Sequence, residues 1–254
     1  MIGVYISLFL FGLCVGSFLN VIIYRLPRRE SIVFPGSHCP RCGHRIAFYD
    51  NLPLLSFLIL RGRCRQCHER ISFQYPLVEF ICGLVLPLSF FLHGFSLRFY
   101  FTSLFIYFLI PLFIIDLKDQ VVPDRITIPG IAAGFAFSFF LPGITWYDSM
   151  IGIAAGGAML LIIAGLGRWV FKREAMGMGD VTIFMLVGAF LGWQKVLLTL
   201  ILASVLGSII GLVIVAKKRK KFITVPFGPF IVAGAVVAHF WGNFLIERYL
   251  SLVR

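Results

Sequence analysis

Gly177-Met178-Gly179-Asp180 runs directly into Val181-Thr182-Ile183-Phe184-Met185-Leu186-Val187-Gly188-Ala189-Phe190-Leu191, so a carboxylate stands behind two glycines at the mouth of an apolar run. An Asp at membrane depth costs roughly 2.5–3.5 kcal/mol on insertion scales, so such a residue faces a cavity or a partner and carries function. Composition places it at that depth. Hydrophobic residues make up 59% of the 254, charged residues only 13%, and the mean hydropathy is +0.95. These values exclude an ordinary soluble domain and indicate an all-α polytopic membrane protein.

Apolar runs of spanning or near-spanning length occupy residues 2–24, 77–92, 97–115, 126–141, 150–171, 181–191, 196–216 and 225–245. They predict eight transmembrane helices. The sixth is short for a full crossing, and burial among neighbours, with Gly179 and Gly192 at its flanks, accommodates it. The first run has no preceding Lys or Arg and no small-residue cleavage site, so it reads as a retained span rather than a signal peptide. Three regions follow: a first helix over 1–26, an extramembrane segment over 27–76, and a seven-helix membrane domain over 77–254.

The net charge of +12 is explained by its placement. With eight alternating spans, 19 of the 23 Lys and Arg fall on one side, in the segments 25–75, 116–125, 168–180 and 217–221. The positive-inside rule puts that side in the cytoplasm and both termini outside. The run Lys217-Lys218-Arg219-Lys220-Lys221 is read as a topology determinant touching anionic lipid, and no nucleic-acid partner is expected.

The segment 27–76 is too short to bury a large core. Cys39-Pro40-Arg41-Cys42 and Cys64-Arg65-Gln66-Cys67 are two C-x2-C pairs with 21 residues between Cys42 and Cys64, a spacing suited to a four-thiolate Zn²⁺ site. A pair of disulfides is the alternative; a reducing cytoplasm favours the metal. His38, His44 and His68 flank the cysteines, yet four thiolates already complete a tetrahedral shell. Cys14 and Cys82 lie inside spans and read as small apolar packing residues.

Asp180 needs a partner. Three carboxylates lie in Asp116-Leu117-Lys118-Asp119-Gln120-Val121-Val122-Pro123-Asp124. Asp124 precedes an apolar run and reads as a helix N-cap, and Asp119 adjoins Lys118 in the polar part of the loop. Asp116 follows Phe113-Ile114-Ile115, where desolvation opposes ionisation. It is the candidate partner. Two carboxylates in a low-dielectric site share one proton, so one can activate water while the other donates to a carbonyl. That is aspartic-protease chemistry, and Gly177 and Gly179 would let a substrate backbone approach. Either Asp could instead be a proton relay or helix glue. Ser17 and Asn20 on the first helix read as interhelical contacts, and Pro226-Phe227-Gly228-Pro229 interrupts the start of the last helix, as a cavity wall would.

These residues together resemble the bacterial type IV prepilin peptidases, the GxGD aspartic peptidases of pilus and type II secretion systems. The likeness runs through Gly16-Ser17-Phe18-Leu19-Asn20, both cysteine pairs with Tyr49-Asp50-Asn51 and Pro53 between them, and Tyr75-Pro76-Leu77-Val78-Glu79. It continues through Asp116, Pro123-Asp124, Gly177 to Asp180 and Pro226 to Phe230. The resemblance implies Asp116 and Asp180 as the catalytic pair and a prepilin or pseudopilin substrate. It further implies cleavage after the Gly of a basic leader at the cytoplasmic face of the inner membrane. It also implies N-methylation of the new N-terminus with S-adenosylmethionine, without identifying the residues that hold the methyl donor. The family often carries Lys two positions after the GxGD Asp, where this chain has Thr182. An ion-coupled carrier with a zinc docking domain, and a peptidase whose cysteine segment is only a structural cap, are the competing readings.

Overall fold

The computed structural model describes residues 1–172, 177–218 and 226–253. Part of the basic run at 217–221, and Val225 at the expected start of the last span, lie outside the described residues. All regular elements among the described residues are helical. Contacts divide the chain into two units, Met1–Pro111 and Leu112–Arg254.

In the first unit, α1 (Ile2–Arg25) packs on α3 (Gln74–His93). Small residues make that approach possible. A Cβ on Gly12 would lie 2.5 Å from the Cys82 carbonyl oxygen, and one on Gly16 would lie 2.7 Å from the Glu79 Cα. This is the close backbone contact that a small-xxx-small pair permits. Asn20, only 3% exposed, donates from Nδ2 to the Tyr75 carbonyl at 3.0 Å, which is the interhelical role its position on α1 suggests. Between them lies the extramembrane segment, holding a 3₁₀ turn at Phe48–Asn51 and the five-residue α2 (Leu55–Ile59). The 23-residue α4 (Leu97–Asp119) carries the boundary between the units within its length.

The second unit is assembled around α7 (Met178–Lys218), against which α5 (Asp124–Ser138), α6 (Trp146–Phe171) and α8 (Gly228–Val253) pack. Its 41 residues would rise about 60 Å as one rod, twice the hydrocarbon thickness. The chain breaks at Gly192, whose φ of 76° and ψ of 173° are non-helical and accessible to Gly without a Cβ penalty. The two halves match the separate spans expected at 181–191 and 196–216.

The short first half is enclosed by protein: Ile183, Phe184, Leu186, Val187, Ala189 and Phe190 are all 0% exposed. Gly152 of α6 and Gly188 of α7 face each other so closely that a Cβ on either would enter the other's backbone, and Ser149 Oγ donates to the Ala189 carbonyl at 2.8 Å. Among the described residues six helices are long and apolar enough to cross a membrane, with α7 counted once. The 15-residue α5 rises only about 22 Å. The chain is therefore a multi-pass membrane protein with the expected all-helical architecture.

Two local expectations change. Helix α5 ends at Ser138 rather than near 141, and its N-cap is Pro123 (φ −74°, ψ 121°), with no side-chain cap. The ψ of Pro123 makes it the last extended residue, since proline's fixed φ suits helix and extended chain alike, so Asp124 enters the first turn and favours the helix dipole without capping it.

Candidate active site and metal centre

In the second unit, Asp116 sits in the last turn of α4 and Asp180 in the first turn of α7. Both side chains are withdrawn from solvent, Asp116 at 5% and Asp180 at 9% exposure, while Asp119 and Asp124 are exposed. Of the three carboxylates in the 116–124 stretch, the one with the apolar flank is the one buried. Asp116 lies close enough to Asp180 for its charge to act there.

Asp116 Oδ2 accepts a hydrogen bond from the Gly228 backbone N–H at 2.9 Å. Gly228 is the first residue of α8, so the interruption at Pro226 to Pro229 points a helix N-terminus at this carboxylate, where the dipole favours negative charge. A Cβ on Gly228 would lie 2.5 Å from the same oxygen. Gly228→Ala should displace the carboxylate and lower turnover about 100-fold, the scale of a misplacement near 1 Å at a reacting group. Turnover of purified variant, compared at equal melting temperature, checks this.

The glycines before Asp180 differ from each other. The side of Gly179 where a Cβ would project is filled by Val122, whose own Cβ would be 2.5 Å away, whereas Gly177 is exposed. Gly179 is thus required by packing inside the chain. Gly179→Ala should cost at least about 1–3 kcal/mol of overpacking, and Val122→Ala in the same chain should recover most of it. A double-mutant cycle on thermal stability measures the coupling. Thr182 Oγ1 donates to the Gly179 carbonyl at 2.9 Å.

In the first unit, the four sulfurs of Cys39, Cys42, Cys64 and Cys67 all lie within 4.8 Å of one another, with Cys39 Sγ and Cys67 Sγ 3.8 Å apart. Metal–thiolate bonds of about 2.3 Å in a tetrahedron place sulfurs about 3.8 Å apart, so the donor set and its spacing fit a metal ion.

Two copies of one knuckle build the cluster. Cys39 N–H donates to the His44 carbonyl and Gly43 N–H to the Cys39 carbonyl; Cys64 N–H donates to Glu69 and His68 N–H to Cys64, each bond 2.9–3.0 Å. The bridges His38–Arg45 and Arg63–Arg70 repeat as well, and Gly43 and His68 both have positive φ. The 25-residue offset from Ser37 to Ile46 and from Gly62 to Ile71 is visible in the residues once the second C-x2-C is laid on the first. Backbone N–H groups of Cys67 and Gln66 directed at Cys64 bring its thiol down to about 7, toward the thiolate that binds metal.

Asp50 receives both arms of Arg65 at 2.6 and 2.7 Å. That hydrogen bonding holds the Asp50 carboxyl below its ordinary range and ties the second knuckle to the 3₁₀ turn. Glu79, the last residue of the Tyr75 to Glu79 stretch and given no role by the sequence, accepts from the Leu54 N–H at 2.9 Å although it lies inside α3.

Comparison with known proteins matches residues 10–93 to the bacterial peptidase A24 N-terminal domain and residues 103–212 to the type IV leader peptidase family. A prepilin leader peptidase/N-methyltransferase of Pseudomonas putida is 35% identical over 265 residues, covering 95% of this chain and 92% of that protein.

This chain belongs to the type IV leader peptidase family.

Another member of the family, from Legionella pneumophila and bearing the same name, is 33% identical over 271 residues, covering 97% of this chain and 94% of its own length. One from Myxococcus xanthus is 43% identical over 207 residues; the alignment takes in 82% of this chain and 62% of that longer protein. No solved structure matches the chain.

Proposed function

We propose that this chain is a membrane-embedded aspartic endopeptidase that removes the basic leader of type IV prepilins or pseudopilins, with Asp116 and Asp180 as its catalytic pair. It also methylates the new N-terminus. The observation that carries the reading is the pair itself: two buried carboxylates, contributed by helix ends far apart in sequence, within electrostatic range of each other in a member of the leader peptidase family. One proton shared between them leaves one carboxylate to activate water and the other to donate to the scissile carbonyl. The Gly228 N–H and the α8 dipole support Asp116 as the anionic member. Gly177, exposed beside Asp180, leaves room for the substrate backbone.

The charge asymmetry supports a cytoplasmic location for the cysteine segment and the acid pair, and outward-facing termini, in the inner membrane. The four thiolates would hold Zn²⁺ as a structural ion. S-adenosylmethionine is the methyl donor this reading requires. A carrier would want ionisable groups in mid-span; here Asp116 lies in the last turn of α4 and Asp180 in the first of α7. Reconstituted protein should convert a prepilin to a faster-migrating band on a gel, and flux of a solute dependent on Asp180, with the prepilin left intact, would replace the peptidase reading with the carrier.

A further inference from the structure

We propose that the cavity in the first unit, walled by α1 and the loops at residues 32–37 and 51–53, binds the methyl donor, with Arg25 receiving its carboxylate. This rests on the methyltransferase reading above. The cavity measures about 430 Å³, within the range of small-molecule sites, ~300–1,000 Å³.

Arg25, the last residue of α1, lines it and is only 5% exposed. Its guanidinium donates to the carbonyls of Ser31 at 2.9 Å and Gly36 at 3.1 Å. Those neutral acceptors orient the fork and leave its charge uncompensated; among the described residues it forms no ion pair with a carboxylate. A buried cation without a counter-ion is costly, and an arriving carboxylate removes that cost with charge-assisted hydrogen bonds.

The rest of the lining selects the kind of anion. Ser17 and Asn51 add polar contacts, and Phe18, Val33 and Leu52 add exposed apolar wall. A bare phosphate would leave those apolar walls wet, and a purely apolar ligand would leave Arg25 uncompensated. An amino-acid end joined to a purine satisfies both. Two of the cavity's walls are extramembrane loops, and its volume suits one nucleoside-sized molecule better than a two-chain lipid. When bound, the donor supplies a sulfonium methyl. The neutral α-amine of the substrate takes that carbon as the C–S bond breaks with its electron pair to sulfur. The new ammonium then releases a proton to water, leaving S-adenosylhomocysteine.

Cys14 lines the same cavity and is an exposed free thiol. In metal-loaded, full-length protein in nanodiscs, saturating S-adenosylhomocysteine should slow N-ethylmaleimide alkylation of Cys14 at least tenfold, read by peptide mass spectrometry. Arg25→Gln should weaken binding of radiolabelled S-adenosylmethionine at least about tenfold, the scale of a hydrogen bond to a charged group. Because Arg25 also ties down two loop carbonyls, the alkylation measurement stands on the native chain. Donor binding with Cys14 alkylated at an unchanged rate overturns the location, as does wild-type affinity in Arg25→Gln. Protection of Cys14 by phosphatidylglycerol and not by S-adenosylhomocysteine gives the cavity to a lipid headgroup and also overturns it. If wild-type protein neither binds donor nor methylates a cleaved pilin, the methyltransferase reading fails and takes this assignment with it.

Discussion

Asp116→Asn and Asp180→Asn should each lower prepilin cleavage by about 10⁴-fold or more, the scale on which removing one member of a catalytic unit disables it. The substitution is nearly isosteric. In Asp116→Asn the side-chain carbonyl can still accept the Gly228 N–H, now donated to Asp116 Oδ2 at 2.9 Å, so the junction of α4 and α8 survives. What disappears is the ionisable group and its exchangeable proton. Both side chains are at least nine-tenths buried, and a neutral amide is cheaper to bury than a carboxylate. Thermal stability should therefore be unchanged or higher in each variant while activity is lost, the pattern of a site that trades stability for function. A structural role would give the opposite, a fall in stability with activity following it. Asp180→Lys should also be inactive, since the reverse charge cannot share a proton with Asp116.

Metal removal has the second large effect, and it separates the two activities. Among residues 27–75 only Cys39 is buried; the remainder is half-buried or exposed and holds one 3₁₀ turn, a five-residue helix and two isolated bridges. A segment with so little core is not held by apolar burial. Structural zinc contributes about 10–16 kcal/mol in comparable small modules. Cys39→Ser or Cys64→Ser, or exhaustive chelation, should thus unfold the knuckles. Protease sensitivity confined to the segment 27–76 and loss of methyl transfer are expected, with leader cleavage retained within a few-fold because both acids belong to the second unit. Metal content of the purified protein should be one ion per chain with four thiolate ligands. A folded, methylating protein without metal would contradict the assignment.

Much of this was legible because membrane depth makes polarity conspicuous. Asp116 could be separated from Asp119 and Asp124 by Phe113-Ile114-Ile115 alone, since an apolar flank at a helix end forecasts burial. The break in α7 was legible for a similar reason: Trp193-Gln194-Lys195 after Gly192 interrupts an otherwise unbroken apolar run. Asp124 looks like an N-cap in the sequence because a capping residue and a first-turn acid have the same appearance there, and only Pro123's ψ decides between them. In the sequence Gly228 marks an interruption, and nothing there shows it as a donor to Asp116, a contact that joins residues 112 positions apart. The sequence suggests a substrate backbone beside Gly179, while the neighbour that fills its open side is Val122 of this chain. The repeated knuckle was present in the residues, but its hydrogen bonds are what establish its equivalence.

The proposed role of Asp116 and Asp180 is joint hydrolysis of a prepilin leader. Intact-mass analysis of a purified prepilin after incubation with the wild-type chain and with Asp116→Asn and Asp180→Asn tests it most directly. The expected result is that wild type releases the leader at the Gly junction and adds one methyl group when S-adenosylmethionine is supplied, while both variants, folded and metal-loaded, return the prepilin at full mass. Leader release by either variant at the wild-type rate would contradict it.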